Sequence, residues 1–557
     1  MPATHKKSLG RYLLLTCSLF ASVLAVSSCQ SPSVADRSND AKSSADRIDN
    51  PVVNVAGEQL QGKASEQFPL ISEFLGVPFA QPPLGDLRWR APQKHQPRAG
   101  VQNAQSYAPA CYQGSGGVDW YVGVAAAFGH GADVVEEPTG LSEDCLYLNV
   151  WTPTTLPKGA SVENLPVLVW IHGGGNTGGW AYEPNYVGAS LARQGIVVVS
   201  IAYRLGIFGF FSHPGMESDQ QPHIANFGLL DQIQGLQWVK DNIANFGGNP
   251  DMVTVAGESA GSANIGYMLA SPLAKDLFQR SIHQSGSFEL TDVNTVADVH
   301  AEVGALEDGK EGASDSDRLS TLRELNAAAL LELANSGYSD DHFYPVVDGK
   351  VLPDTVYGFY EKKENAARDI MVGTTADEWF MYIDEPVNQA AIDAWMSDNI
   401  PSVEKLPVLK QLDGFTPDRS KLELLITARN MRCPGYYLAE KNATQGGRSW
   451  VYHFARQRNG TGGEALRVYH GAELPYMFDT HDDWLPTDGT DRKLTSTMVD
   501  YWVNFVKSGD PNTASTPAWP EYSKAEENNV QVLGDKVFAT AAPHQELCRW
   551  LAPDSEV

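Results

Sequence analysis

The chain has 557 residues, of which 42% are hydrophobic, so it is long enough to bury a large core. Its 68 acidic and 41 basic residues give a net charge of −27, and it has no basic stripe that would neutralise phosphates. This composition argues against nucleic acid as a partner. The sequence contains no solenoid repeat and no internal linker rich in proline or serine, which favours a single domain over residues 51–557.

The N-terminus has the pattern of a targeting segment. Three basic residues precede a mostly apolar stretch over 12–26, which is too short to predict a transmembrane helix. The following Val26-Ser27-Ser28-Cys29 resembles the lipobox of bacterial lipoproteins, in which the cysteine is lipidated and becomes the first residue. We therefore predict a lipoprotein signal peptide over 1–28 and lipidation of Cys29. An ordinary cleaved signal with an incidental cysteine is the alternative.

Residues 29–50 are polar and rich in Ser, Asp and Lys, which is typical of a disordered tether. Together, these segments predict an exported protein that is attached by lipid to the bacterial cell envelope, at the outer membrane or the periplasmic face. Release as a secreted protein is the alternative. The only membrane association that we expect is through this lipid anchor.

Cysteine usage agrees with export. Apart from Cys17 and Cys29, four cysteines remain, and an even number in an exported protein suggests two disulfides. Sequence alone permits three pairings of four cysteines. Metal ligation is disfavoured because no two of them have C-x-x-C spacing.

Alternating strands and helices are predicted through the middle of the chain. Residues 165–171 and 195–201 are continuous aliphatic runs, as expected for strands buried on both faces. Apolar residues recur close to a 3.6-residue period over 227–245, which predicts a helix. A turn at 247–250 then returns the chain to an apolar run at 252–256. This order predicts an α/β fold with a large, mostly parallel mixed sheet covered by helices on both faces.

The segment Gly257-Glu258-Ser259-Ala260-Gly261 directly follows this last apolar run. A strand that turns sharply into a helix needs residues without bulk beside the turn, and the turn leaves the serine oxygen exposed above the sheet. The pattern therefore predicts a nucleophile elbow at Ser259. The alternative is a chance match in a chain with 50 glycines.

A second motif, His172-Gly173-Gly174-Gly175, follows the predicted strand over 165–171. Acyl transfer builds negative charge on the former carbonyl oxygen, and backbone N–H groups approach it closely only where side chains are absent. Together with the N–H of the residue after the serine, such a loop is typical of an oxyanion hole in α/β-hydrolase esterases. We predict that Gly174, Gly175 and Ala260 form it, with a glycine-rich turn of no consequence as the alternative.

Five further segments follow a fixed order between about residues 51 and 553, at 74–85, 142–150, 203–206, 246–250 and 344–349. With the two motifs, they resemble the type-B carboxylesterases. This α/β-hydrolase family includes cholinesterases, bile-salt-activated lipases and bacterial para-nitrobenzyl esterases. The resemblance implies the α/β-hydrolase fold for this chain.

The resemblance also implies a Ser-Glu-His triad of Ser259, Glu378 and His470. A serine hydroxyl is a poor nucleophile until a base accepts its proton, and the resulting imidazolium needs a carboxylate to orient and stabilise it. Asp377 is the competing acid, but the family has glutamate second in this pair. Many members have glycine after the acid, whereas this chain has Trp379.

Other positions take their expected roles from the same resemblance. Glu258 and Ser285 match positions that the family has near the triad, with ordinary helix-start or turn roles as the alternative. Three aromatic residues of the segment 112–144, Trp120, Tyr121 and Phe128, are expected either to line a substrate entrance or to pack the loop. The family disulfides imply the pairs Cys111–Cys145 and Cys433–Cys548.

The function implied is that of a serine carboxylesterase, which forms and hydrolyses an acyl-enzyme with small-molecule esters as substrates. No metal or organic cofactor is implied. A catalytically silent binding protein of the neuroligin type is the main alternative, although such proteins lose a triad member. Amidase, thioesterase and acylcholine esterase activities are further alternatives.

Two residues bear on the choice of ester. Trp120 is closer to Cys111 in sequence than the corresponding tryptophan of cholinesterases. Asn176 follows the three glycines where many members have an aromatic residue, which should make this side of the substrate cavity more polar. Recognition of a quaternary ammonium group depends on aromatic faces near the acyl site. We therefore expect uncharged short-chain esters to be better substrates than acylcholines.

Overall fold

The structure is a computed structural model that describes residues 49–154, 163–218, 222–286, 294–302, 313–337, 343–362, 367–400, 405–412, 414–523 and 529–551. The predicted signal peptide, Cys29 and all but the last two residues of the predicted tether lie outside the described residues.

The strands of the described residues are β1 (Val52–Val55), β2 (Glu58–Gln61), β3 (Lys63–Ala64), β4 (Ile71–Pro78), β5 (Val101–Asn103), β6 (Ala110–Cys111), β7 (Leu141–Ser142), β8 (Tyr147–Pro153), β9 (Leu165–Ile171), β10 (Val197–Ile201), β11 (Gly248–Glu258), β12 (Arg280–Gln284), β13 (Asp369–Thr375), β14 (Ser449–Phe454), β15 (Asn529–Leu533) and β16 (Val537–Ala541).

The α-helices are α1 (Gly116–Ala127), α2 (Ala189–Ala192), α3 (Gly206–Gly209), α4 (Gly215–Ser218), α5 (Phe227–Asn242), α6 (Ala260–Ala270), α7 (Val296–Glu302), α8 (Asp315–Glu324), α9 (Ala327–Gly337), α10 (Val356–Glu361), α11 (Gln389–Asn399), α12 (Lys405–Gln411), α13 (Asp418–Thr427), α14 (Cys433–Thr444), α15 (Thr461–Leu466), α16 (Leu474–Phe478), α17 (Gly489–Ser508) and α18 (Gln545–Leu551).

Eleven strands of the described part form one sheet, in the order β16-β15-β14-β13-β12-β11-β9-β10-β8-β4-β3. The strands from β15 to β10 in this order run parallel to one another. At the edges, β16 pairs antiparallel with β15, and β8, β4 and β3 continue antiparallel from β10. The predicted mostly parallel mixed sheet is confirmed.

Both faces of this sheet are buried, as the continuous apolar strands predict. In β9, Val167, Val169 and Ile171 pack into the core that contains α5 and α6. The alternate residues Leu168 and Trp170 pack into a second core with α16 and α17. Successive side chains of a strand point to opposite faces, so a strand between two helical layers has to be apolar throughout.

The predicted element boundaries differ from the structure mainly at turns. The strand predicted over 165–171 has the same bounds as β9, whereas the helix predicted over 227–245 ends at Asn242 and continues as a 3₁₀ turn, Ile243–Phe246. Gly247 ends that turn with a φ of +83°, and β11 already begins at the next residue. The predicted turn at 247–250 is therefore shorter than expected.

The topology brings several loops to one edge of the sheet. Parallel strands have their carboxyl ends at the same edge, and the chain order reverses at β9, which has β10 on one side and β11 on the other. Crevices at such reversals are where open α/β sheets bind ligands. The loops that follow β9, β11, β13 and β14 contain the predicted glycine loop, serine, glutamate and histidine, respectively.

Candidate active site

Ser259 occupies a sharp turn between β11 and α6. Its φ of 55° and ψ of −127° lie in a region that residues with a side chain rarely adopt. The turn is fixed because the Ser259 N–H donates to the Gln284 carbonyl at 2.9 Å. A Cβ at Gly257 or Gly261 would collide with the carbonyl of Ile171, so both glycines are needed for this close approach to β9. The local geometry is that of the predicted elbow.

The glycine loop after β9 lies directly against this turn. A Cβ at Gly173 would be 3.0 Å from the Cβ of Ser259 and 2.7 Å from Oε2 of Glu258. Gly174 and Gly175 have φ values of +96° and +61°, which favour glycine. The wall of one cavity contains the predicted nucleophile and all three predicted oxyanion donors, Ser259, Gly174, Gly175 and Ala260.

Gln113 holds the far end of this loop. Its amide accepts from the N–H of Gly179 at 2.8 Å and donates to the carbonyl of the same residue at 2.7 Å. The amide nitrogen also donates to the carbonyl of Cys111 at 3.0 Å. Gln113 is buried, so these bonds are shielded from water. The loop is thereby tied to the segment that contains Cys111.

His470 and Glu378 form a short, buried pair. Nδ1 of His470 lies 2.6 Å from Oε2 of Glu378, while Oε1 of Glu378 accepts from the N–H of Thr375 at 2.6 Å. Burial by itself raises the pKa of Glu378, but the hydrogen bond and charge of His470 outweigh it and lower that pKa, with a further contribution from Ser285. The structure brings together the predicted base and acid.

Asp377 has a different environment. One of its oxygens lies 3.4 Å from Nη1 of Arg467, and the other accepts from the N–H of Val468 at 3.3 Å. It therefore fixes the segment that precedes His470 and does not contact the imidazole. The ring of Trp379 lies parallel to that of His470, with centroids 6.4 Å apart. Trp379, which follows the predicted acid where many family members have glycine, therefore stacks beside the predicted base.

The other imidazole nitrogen faces Glu258. Nε2 of His470 is 3.2 Å from Oε1 of Glu258, and within the described residues no hydrogen bond joins His470 to Ser259. Burial raises the pKa of Glu258 to about 8, although the charge of His470 opposes this shift. Burial lowers the pKa of His470, but Glu258 and Glu378 outweigh it and raise that pKa to about 10. Glu258 is thus in direct contact with the predicted base.

Glu473 is a residue near the site that the sequence analysis did not identify. It is fully buried, and its Oε1 accepts from Nε2 of Gln284 at 3.2 Å and from the hydroxyl of Tyr452 at 3.5 Å. Burial, followed by the charge of Glu378, raises its pKa to about 7. Its position three residues after His470, in an otherwise apolar segment, is the sequence signal that could have indicated it.

The cavity above Ser259 has a volume of about 1350 Å³. Trp120 and Tyr121 line the cavity, but Phe128 does not. The Phe128 ring packs against Gly462, in the space that a larger side chain there would occupy. The expectation that Asn176 makes the cavity more polar is wrong. Asn176 has a φ of +58° and is fully buried, and its Oδ1 accepts from Nδ2 of Asn264 at 2.8 Å.

Both disulfides implied by the resemblance are present, Cys111–Cys145 and Cys433–Cys548. The first closes the segment that contains Trp120 and Tyr121. Disulfides suggest an exported protein. In the ranges that the structure describes, no helix is both long enough and apolar enough to cross a bilayer.

Comparison with known proteins agrees with this geometry. A model of the carboxylesterase family matches residues 49–549. The chain is 33% identical over 512 residues to the acetylcholinesterase of Bungarus fasciatus, covering 86% of this chain and 82% of the relative. It is 33% identical over 514 residues to carboxylesterase 1D of Mus musculus, covering 86% and 88%. A solved PNB esterase structure matches with a TM-score of 0.76 at 28% identity, covering 90% of this chain and 99% of that chain. The predicted α/β-hydrolase fold is confirmed.

Proposed function

The chain belongs to the carboxylesterase family, and from this premise we propose that it is a serine carboxylesterase with Ser259 as nucleophile. The observation that supports this most directly is the strained turn that exposes Ser259 in the cavity wall beside the buried pair of His470 and Glu378. No metal or organic cofactor takes part in the proposed reaction.

In the proposed first step, Nε2 of His470 turns from Glu258 toward Ser259 and accepts the hydroxyl proton. Oγ of Ser259 then bonds to the ester carbonyl carbon, and the oxyanion is stabilised by N–H groups of Gly174, Gly175 and Ala260. When the tetrahedral intermediate collapses, the bond to the alcohol oxygen breaks and His470 returns the proton to the leaving alcohol. In the second step, the same imidazole accepts a proton from water as the water oxygen bonds to the acyl carbon. The bond between that carbon and Oγ of Ser259 then breaks, His470 returns the proton to Oγ, and the acid is released.

Ser259→Ala tests this proposal. The substitution removes the bond-forming oxygen and little else, and loss of a triad member typically lowers turnover by about 10⁴ to 10⁶. Ser262→Ala is a matched control, because Ser262 is a buried serine in the first turn of the same helix and is not in the cavity wall. Initial rates with 4-nitrophenyl butyrate, and thermal unfolding of both variants, provide the measurements. A folded Ser259→Ala variant with a tenth of wild-type activity would refute the assignment.

The same experiment separates the proposed enzyme from a catalytically silent binding protein, which would have no activity to lose. A panel of amide and thioester analogues with the same acyl group separates an esterase from an amidase or thioesterase. We expect the highest kcat/KM for the esters.

We further propose that uncharged short-chain esters are preferred to acylcholines. With Asn176 buried, the proposal depends on the charges that remain in the cavity. Glu183 accepts hydrogen bonds from the hydroxyl of Tyr121 at 2.8 Å and from the N–H of Trp180 at 2.9 Å, and Glu258 lies 3.2 Å from Nε2 of His470. Because the protein's own groups already contact these two carboxylates, they offer less attraction to a quaternary ammonium group than free carboxylates would. A higher kcat/KM for butyrylcholine than for an uncharged butyrate ester of similar leaving-group reactivity would refute this. It would indicate Trp120 as a cation site.

For the whole chain, we propose a lipoprotein signal peptide over 1–28, lipidation at Cys29, a tether over 29–50 and one catalytic domain over 51–557. The protein would then be exported and held by lipid at the bacterial cell envelope. The two disulfides support export.

A further inference from the structure

One turn of the cavity wall has unusual helix geometry. Residues 428–432 form a π-helical turn between α13 and α14. Such turns are rare in proteins as a whole, and those that occur are often at functional sites. Three consecutive residues of this turn, Arg429, Asn430 and Met431, line the cavity that contains Ser259, whereas Arg432 is buried.

The guanidinium of Arg429 is only partly used by the protein. Its Nε donates to Oδ1 of Asn399 at 3.2 Å, which fixes the direction of the side chain. Within the part of the chain that the structure describes, its two terminal nitrogens have no hydrogen bond or ion pair. By contrast, Arg419 stacks on Phe380 and lies 3.6 Å from a carboxylate oxygen of Glu385. Arg429 thus offers up to four N–H donors to whatever enters the cavity.

The chemistry of this group selects a carboxylate. A guanidinium presents two parallel N–H donors that match the two oxygens of a carboxylate, and it stays charged at all physiological pH values. Although the chain has a net charge of −27, none of the described residues forms an ion pair with this cation in the cavity wall. The neighbouring Asn399 and Asn430 are uncharged, so they do not neutralise it.

We propose that Arg429 forms a subsite for a carboxylate at the end of the substrate remote from the scissile ester. The substrate class is that of esters that also contain a free acid group, such as half-esters of dicarboxylic acids. This inference rests on the proposed esterase function and widens its substrate range. Neutral short-chain esters reach Ser259 without using the subsite.

The test compares matched substrates that differ only in charge. One pair has the charge in the acyl part: the 4-nitrophenyl monoester of adipic acid and its methyl ester. The other has it in the alcohol part: the butyrate ester of 4-hydroxybenzoic acid and its methyl ester. We expect Arg429→Gln to lower kcat/KM about tenfold, or about 1.4 kcal/mol, for the charged member of one pair and less than about twofold for both neutral members. The pair that responds identifies the side of the ester that Arg429 binds.

Arg429→Lys and Arg419→Gln provide the controls. Lysine keeps the charge but not the paired donors, so it should retain part of the preference. Arg419 is absent from the cavity wall, and its substitution should leave the charged-to-neutral ratio unchanged. An equal loss for charged and neutral members in Arg429→Gln would indicate a structural role and overturn the subsite, as would an unchanged ratio.

A binding measurement separates this inference from the proposed catalytic function. Calorimetric titration of the Ser259→Ala protein with adipate monomethyl ester requires no turnover. We expect measurable binding that Arg429→Gln weakens about tenfold. Binding without dependence on Arg429 would refute the subsite even if Ser259 is the nucleophile. If binding depended on Arg429 but the wild-type protein hydrolysed no ester, the subsite would be supported and the esterase function refuted.

Discussion

Replacing Glu378 with glutamine removes the charge next to His470 with almost no change in volume. The two oxygens of Glu378 both accept hydrogen bonds, one from His470 Nδ1 and one from the N–H of Thr375, each at 2.6 Å. A glutamine has one acceptor oxygen and one NH₂ group, so it cannot accept both bonds. The substitution therefore opposes the imidazole tautomer that the proposed mechanism needs, in addition to removing the charge.

The distance sets the size of the expected effect. Two unit charges 2.6 Å apart at an effective dielectric constant of about 20 attract by about 6 kcal/mol. Loss of all of this attraction in the transition state would lower the rate by a factor of about 10⁴ to 10⁵, which is the upper limit of the effect. Because the amide keeps part of the hydrogen bonding, we expect Glu378→Gln to lower kcat about 10³ to 10⁴-fold. The assay is steady-state hydrolysis of 4-nitrophenyl butyrate, with near-UV circular dichroism to verify the fold.

Asp377→Asn is the matched control. It removes an ion pair with Arg467 at 3.4 Å but no contact with the imidazole, so we expect less than about a tenfold loss of kcat and a lower melting temperature. If Asp377→Asn lowered kcat more than Glu378→Gln, the acid would be one residue earlier than proposed. A Glu378→Gln enzyme with a tenth of wild-type activity would refute the role of the charge.

Three further predictions concern other parts of the chain. Glu258→Gln removes a carboxylate that raises the pKa of His470, so the neutral imidazole should form at lower pH. We therefore expect the acid limb of the pH profile of kcat/KM to move to lower pH, and an unmoved limb would contradict this. Gln113→Ala removes two hydrogen bonds to the backbone of Gly179, each worth about 1 kcal/mol, and should lower kcat about tenfold with KM within about twofold, whereas a rise in KM alone would indicate a role in binding. Cys29→Ser should abolish metabolic labelling by fatty acid, and release of the wild type after a conventional cleavage site would refute the anchor.

Much of the framework could be predicted because it depends on local patterns. A continuous aliphatic run between turn residues predicted the bounds of β9. The two glycines beside Ser259 predicted the sharp turn between β11 and α6 that the structure contains. The roles of Ser259, Glu378 and His470 are predictions that the geometry supports and that the variants above test.

The features that could not be predicted depend on side-chain direction, on contacts between distant segments and on local backbone hydrogen bonding. Asn176 has a left-handed backbone conformation that turns it into the core, which a motif alignment cannot indicate. The contact of Glu258 with His470 joins residues 212 positions apart. The buried Glu473 likewise contacts Gln284 of β12 and Tyr452 of β14, which are distant in sequence. The π-helical turn at 428–432 is a shift in backbone hydrogen bonding that has no recognised sequence signal.

The order in which the site is assembled along the chain has a consequence for biosynthesis. The glycine loop and Ser259 follow β9 and β11, but the imidazole comes only after β14, in the last fifth of the sequence. A nascent or truncated chain that ends before residue 470 therefore has the proposed nucleophile without the proposed base. If the protein is exported unfolded, the proposed esterase activity would begin only after the chain has been completely delivered, so esters in the compartment in which it is made would not be exposed to it.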